Sequence, residues 1–274
     1  MPELPEVETV VRYLRTKIIN QTIKQINLLY FKVLQNTDPV NFNDFLLNET
    51  FIDITRKGKY LIFHLTNHKA LVIHLRMEGK LFVQPLNSAP NFSQLICEFI
   101  LNEEVLRFYD TRKFGTFEVC YEQDLINLKS LQKLAMDANS NEFTADYLFD
   151  ITRKSRIAIK TFLLDQSNVA GIGNIYVNEI LFMSGILPTK PTWEINYEQC
   201  KNIVNYSKEI LNASIAKNGT TIHTYKFNEY QSGGFQSELK VHGRHNKSCV
   251  RCGHCIKFCK VNGRGTYFCQ NCQK

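Results

Sequence analysis

No stretch of this chain stays apolar for anything near the roughly 20 residues that a bilayer-crossing helix needs, so nothing in it reads as a membrane span. The N-terminus has no basic stretch leading into an apolar one, and no secretory signal is visible there. A cytoplasmic or nucleoid location is the expectation that follows. Internal repeats and low-complexity tracts are lacking too, which argues against a solenoid or a disordered tail. The cysteines are not spread as a disulfide framework requires. Six of the nine lie between Cys249 and Cys272, and such clustering speaks for a metal. Cys97, Cys120 and Cys200 stand alone in apolar or amphipathic segments and read as small hydrophobes.

What the chain does have is ordinary globular material. It has 274 residues, 44% hydrophobic and 22% charged, enough for two domains with real cores. The formal net charge of +7 suits a polyanionic partner without requiring one.

Residues 3–18 read as a helix, because Val7, Val10, Val11, Leu14 and Ile18 recur at helical spacing. From Thr22 to about Cys120 the pattern changes to short β-rich runs such as 51–54, 60–65, 71–75, 95–101 and 105–109. Polar turns separate them, which suggests a β-sandwich or barrel. Helical spacing returns from Phe143 to Lys217, and a glycine-containing polar loop follows. The expected class is α+β. The expected division is a sandwich over 1–127, a hinge over 128–142, a helical domain over 143–240 with a loop at 218–235, and a metal-binding finger over 241–274.

The tail carries Cys249-Val-Arg-Cys252-Gly253 and Cys269-Gln-Asn-Cys272, two CxxC pairs with 16 residues between them. Four thiolates at that spacing make a closed tetrahedral zinc site of the ribbon type, with one structural Zn²⁺ and no open position for catalysis. Cys255 and Cys259 compete, since Cys252-x-x-Cys255 is also a CxxC. Gly253 favours the 249/252/269/272 set, because a knuckle needs a residue that can turn tightly there. The stretch between the pairs carries Lys257, Lys260 and Arg264. It reads either as a phosphate-binding hairpin tip or as a solvated charged turn.

The chain opens Met1-Pro2-Glu3-Leu4-Pro5-Glu6. Pro and acids suit the first turn of a helix. The same residues support a second reading. Once Met1 is gone, Pro2 is a secondary amine at the chain end, and an α-amino group titrates near about 7.7–8.0. An amine beside a carboxylate is what Schiff-base chemistry on a sugar carbon requires.

Three segments together, 2–8, Asn168 to Tyr176 with Gly171 and Gly173, and the cysteine tail, make the chain similar to the bacterial formamidopyrimidine-DNA glycosylase family over essentially its whole length. Leu4 stands where the endonuclease VIII branch has Gly. The resemblance implies a bifunctional glycosylase and AP lyase that excises oxidised purines from duplex DNA and uses no nucleotide cofactor, and nothing in the sequence argues against a monomer. It implies that Pro2 is the nucleophile, Glu3 the proton donor, and Glu6 a supporting group. Lys59, chosen over Lys57 by the Tyr-Leu that follows, would serve β-elimination. Met77, Arg112 and Phe114 would fill the gap left by an extruded base. Asn174, Lys160 and Arg156 would contact DNA, and Arg264 would grip phosphate and assist δ-elimination. Ser93 falls where many relatives carry a DNA-contacting histidine, and the loop 218–235 would cover the flipped base. Singly, Met77 and Phe114 read as core, and Lys59 as a strand-edge charge. Two other functions fit part of the pattern: removal of oxidised pyrimidines, and non-enzymatic DNA binding by a zinc ribbon.

Overall fold

The computed structural model describes residues 2–221 and 233–274, so most of the loop expected at 218–235 lies outside the described residues. The chain forms two compact units, Met1–Gln132 with Lys217–Gly234, and Lys133–Ala216 with Phe235–Lys274. No helix among the described residues is long and apolar enough to cross a membrane.

The first unit begins with α1, Leu4–Ile18. A reciprocal capping box starts it: the Glu3 side chain accepts the Glu6 N–H, and the Glu3 N–H donates to Glu6 Oε2 at 2.9 Å. Val7, Val10, Val11, Leu14 and Ile18 are buried, as their spacing requires. Eight strands follow: β1 Gln25–Leu28, β2 Phe51–Lys57, β3 Tyr60–Leu65, β4 Lys69–His74, β5 Lys80–Pro85, β6 Leu95–Ile100, β7 Glu104–Tyr109 and β8 Thr116–Tyr121. They form two four-stranded antiparallel sheets, ordered β1-β6-β7-β5 and β2-β3-β4-β8. Alternate residues such as Leu61, Phe63, Leu106 and Phe108 point into one core shared with α1.

One helix interrupts the stretch that reads as purely β. α2, Pro39–Leu46, is capped by Asp38, whose Oδ1 accepts the N–H groups of Val40 and Asn41 at 2.9 and 3.0 Å. Phe42 and Leu46, four residues apart, enter the core, where Phe42 meets Phe99 and Phe117. The short α3, Lys129–Gln132, closes the first unit before the chain passes to the second.

The second unit holds α4 Ala145–Thr152, α5 Ile159–Leu164, α6 Asn174–Met183 and α7 Tyr197–Ala216. It ends in a hairpin of β9, Lys257–Val261, and β10, Arg264–Phe268. Asn262 and Gly263 form its two-residue turn with φ of +46° and +73°, the left-handed pair that matches the twist of a hairpin. Within the expected hinge, 135–138 is not a free connector. Ala135 N donates to Gln166 O, Ala138 N to Ala170 O, and Ala170 N to Met136 O, which ties this piece into the second unit. The segment 217–221 packs with the first unit.

Candidate active site and nucleic-acid interface

The first turn of α1 concentrates buried acid. Pro2 is buried, and Glu3 and Glu6 are 2% and 1% exposed. Glu6 is divided between two duties: Oε2 holds the Glu3 N–H, and Oε1 accepts the Thr220 N–H at 2.7 Å. Gly219 makes that approach possible. Its φ is +80°, and a Cβ there would lie 2.8 Å from Glu6 Oε1.

Lys59 sits in the two-residue turn joining β2 to β3, after Gly58 at φ +57°. It is 6% exposed, so it is no ordinary strand-edge charge. Arg56 fixes this turn to α1. Its Nη1 donates to Gly58 O at 2.9 Å and its Nε to Glu8 Oε2 at 3.2 Å. Burial pushes the Glu8 carboxyl up, yet the bonds from Arg12 and Arg56 outweigh it and hold Glu8 below the usual carboxylate range. Beside Lys59, burial and then the charges of Arg76 and Lys59 push His74 down to about 3. His74 is therefore neutral, with Nδ1 accepting the Arg76 N–H at 2.9 Å.

Two apolar side chains are held out in solvent. Met77 and Phe114 are 37% and 52% exposed, so neither is the core residue its type alone would suggest. The Arg112 guanidinium lies over the Phe114 ring at 4.7 Å. Asp110, buried and absent from the sequence reading, shapes this loop. Its Oδ1 accepts the Arg112 N–H at 3.0 Å, and Oδ2 accepts those of Phe114 and Gly115 at 2.9 and 2.8 Å. An Asp ahead of a turn ending in Gly is a signal for such a bonded loop. Ser93 is exposed and donates to Asn91 Oδ1 within its own loop at 2.7 Å.

In the second unit, Arg264 is exposed at the start of β10. The next residue is clamped twice: Gly265 O accepts Lys160 Nζ at 2.8 Å and Asn174 Nδ2 at 3.1 Å. Lys160 also donates to Thr266 Oγ1 at 2.8 Å. The side chain is 0% exposed, and its ammonium holds the hairpin from within. Asn174 begins α6, and Gly173 is its N-cap. Arg156 is exposed.

The sulfurs of Cys249, Cys252, Cys269 and Cys272 all lie within 4.8 Å of one another. Cys249 and Cys272 are 3.9 Å apart, Cys252 and Cys269 3.4 Å. A tetrahedral ion with bonds of about 2.3 Å to sulfur spaces its ligands by about 3.8 Å, so the four can hold a metal ion. Gly253 turns at φ +75° after the second ligand. Cys255 and Cys259 stay outside the cluster. The backbone bond from His254 draws Cys252 down to about 5. Burial first, then the neighbouring sulfurs, push Cys272 up to about 12. A bound dication would draw all four to thiolate.

The model of the formamidopyrimidine-DNA glycosylase N-terminal domain matches residues 1–117, and that of the formamidopyrimidine-DNA glycosylase H2TH domain matches 134–226. The formamidopyrimidine-DNA glycosylase of Ureaplasma parvum is 45% identical over 275 residues, covering all of both chains. A mutant of the Lactococcus lactis Fpg protein, in complex with DNA containing Fapy-dG, is similar with a TM-score of 0.94 at 36% identity over 100% of both chains. The wild-type Lactococcus lactis protein in complex with DNA containing an oxidised pyrimidine gives 0.93 at 35% identity, again over 100% of both.

Proposed function

We infer the function from the family: the chain belongs to the formamidopyrimidine-DNA glycosylases, and it is a base excision repair enzyme that acts on damaged DNA. The AP lyase step is general to that family. The specific reading is excision of oxidised purines, 8-oxoguanine and formamidopyrimidines, from duplex DNA. The observation that carries its Schiff-base chemistry is the buried acid pair, Glu3 and Glu6, at the turn next to Pro2.

In this reading the Pro2 nitrogen, freed by loss of Met1, attacks C1′ of the damaged nucleotide. The base departs with the bonding pair and gains a proton. Glu3 protonates the ring oxygen as the sugar opens, leaving an iminium between Pro2 and C1′. Removal of the C2′ proton expels the 3′ phosphate, with Lys59 as the base for that step. A second elimination expels the 5′ phosphate, which Arg264 grips. Glu6 keeps Glu3 and the 217–221 segment in place. A base inside a duplex is out of reach, and flipping it costs about a few kcal/mol. Met77 and Phe114 offset that cost by filling the gap, and Arg112 bonds the orphaned partner base. Asn174, Arg156 and Ser93 contact the DNA backbone, while Lys160 supports Arg264 from beneath.

One structural Zn²⁺ on Cys249, Cys252, Cys269 and Cys272 would staple the hairpin, a fit supported by the four converging sulfurs. The sandwich over 1–127 would carry the reacting groups, with the hinge, helical domain and finger following as the sequence pattern divides them. We place the enzyme in the cytoplasm, as a monomer on double-stranded DNA.

The test is borohydride trapping on duplex DNA carrying 8-oxoguanine. A covalent complex is expected, and Pro2→Gly or retained Met1 should abolish most of it. Full trapping and nicking with Met1 retained would sink the Pro2 assignment. A second reading, removal of oxidised pyrimidines, is favoured by the Lactococcus lactis complex with such DNA. Nicking of 8-oxoguanine:cytosine against thymine glycol:adenine duplexes separates the two.

A further inference from the structure

One surface hollow of the second unit, about 340 Å³, is lined by Arg153, Lys154, Ser155, Arg156 and Trp193. Among the described residues no carboxylate lines it. Trp193 is the single tryptophan of the chain and is 49% exposed. A ring of this kind contributes some 150–250 Å² when it is buried, and here half of that burial is forgone.

Trp193 is nevertheless held firmly. It follows Thr192, which is 0% exposed. The Thr192 N–H donates to Ile157 O at 2.9 Å, and its hydroxyl donates to Ser155 O at 2.6 Å. Arg153 Nη2 donates to Thr192 O at 3.1 Å and also to Ile195 O. The Arg153 guanidinium stacks 4.7 Å over Phe149. The backbone under the indole is thus bonded on both sides to the basic turn that follows α4, while the ring faces solvent. Apolar surface on a rigid base, surrounded by cations, suits a ligand that is flat and anionic at once.

We propose that this hollow binds an unpaired nucleotide of single-stranded DNA, the base stacking on Trp193 and its phosphate held by Lys154 with Arg153 and Arg156. Stacking platforms set among cations are how proteins hold single strands without reading sequence. A paired base has both faces covered by its neighbours, so duplex DNA offers the phosphate but not the ring. Free phosphate would leave the indole unused. The site goes beyond lesion excision and is independent of the Pro2 chemistry. It gives the enzyme a hold on unpaired DNA.

The full-length protein is titrated with an oligothymidylate free of lesions, read by Trp193 emission. Inorganic phosphate and an undamaged duplex at equal phosphate concentration are the other arms. Quenching by the single strand well beyond that by the duplex, which can reach Arg156 but cannot stack on the indole, is expected, weakening as salt rises. With a labelled oligothymidylate, Trp193→Ala should lose about tenfold in affinity, and Trp193→Phe should retain much of it. Lys154→Glu, on an exposed side chain, is a second variant that should weaken single-strand binding. Borohydride trapping on a lesion duplex should be unchanged in Trp193→Ala, so failure of this site is distinguishable from failure of the glycosylase reading. Unchanged single-strand affinity in both Trp193→Ala and Lys154→Glu would overturn the proposal. So would equal quenching by phosphate or duplex.

Discussion

Glu6 Oε1 accepts the backbone N–H of Thr220 at 2.7 Å, across 214 residues of sequence. One carboxylate thereby bonds both the residue next to Pro2 and the segment that leads into the loop expected to cover the flipped base. Glu6 is more than the first-turn acid of a helix. It makes the shape of the 217–221 segment depend on the same group that orders the N-terminal turn.

Replacing Glu6 by Gln puts an NH₂ against one of two N–H donors and leaves one of them unsatisfied. That costs about 1–3 kcal/mol. We expect Glu6→Gln to lower Tm by several degrees and to slow trapping on 8-oxoguanine duplex at least tenfold. Gly219→Ala should act in the same direction through φ and through its clash with Glu6 Oε1. A Glu6→Gln variant with wild-type trapping would separate this bond from activity.

Much of this site is legible in residue types, and what is not legible has physical causes. The spacing of Val7, Val10, Val11, Leu14 and Ile18 gives α1 directly, because a buried stripe needs that period. α2 escapes the pattern although Asp38-Pro39 is a cap followed by a first-turn proline, since its eight residues sit among strands. Period alone cannot show that Met77 and Phe114 are in solvent, because a lone apolar side chain is usually core. Lys160 hides for the opposite reason. Lysine is almost never fully buried, and a six-residue helix has too few turns to reveal a face. Asp110 serves backbone N–H groups, and only its place ahead of a turn ending in Gly115 signals that role.

His74 gives a pH dependence of known sign. Its folded value, about 3, lies below the unfolded value of about 6.5. The folded state therefore binds fewer protons between those limits, and stability is complete above about 6.5 and falls as pH drops toward 3. The full effect is on the order of 5 kcal/mol. His242, pushed down to about 4 by burial and then by Lys160, adds to it in the second unit. Glu179, raised chiefly by burial, works in the opposite sense above its ordinary value. Thermal melts from pH 7 to 4 should show Tm falling less in His74→Asn, which keeps an acceptor for the Arg76 N–H, than in the parent. Parallel curves would contradict the neutral assignment.

The four-cysteine cluster is a local staple in the second unit, so its loss should act locally first. Chelation, or Cys269→Ser, should weaken duplex binding at least tenfold while circular dichroism of the sandwich strands persists. The reason is that the core of α1 and β1–β8 uses none of these sulfurs. Metal analysis should return one zinc per chain in the parent. Collapse of the whole fold on mild chelation would refute the local role.

Lys160→Met decides between a strut and a DNA contact. As a strut, Lys160 donates to Gly265 O and Thr266 Oγ1 immediately after Arg264, and its loss strips one buried and one part-buried acceptor of that partner. The cost is about 1–3 kcal/mol, and Asn174 would hold Gly265 O alone. Tm should fall, His242 should titrate higher with the neighbouring charge gone, and DNA affinity should drop because Arg264 is less well placed. The dependence of log affinity on log salt should keep its slope, since no phosphate-neutralising cation has been removed. As a direct contact, Lys160 would give the reverse: unchanged Tm and a slope shallower by about one. Measuring both on one variant separates the two, and the buried ammonium places the expectation with the strut.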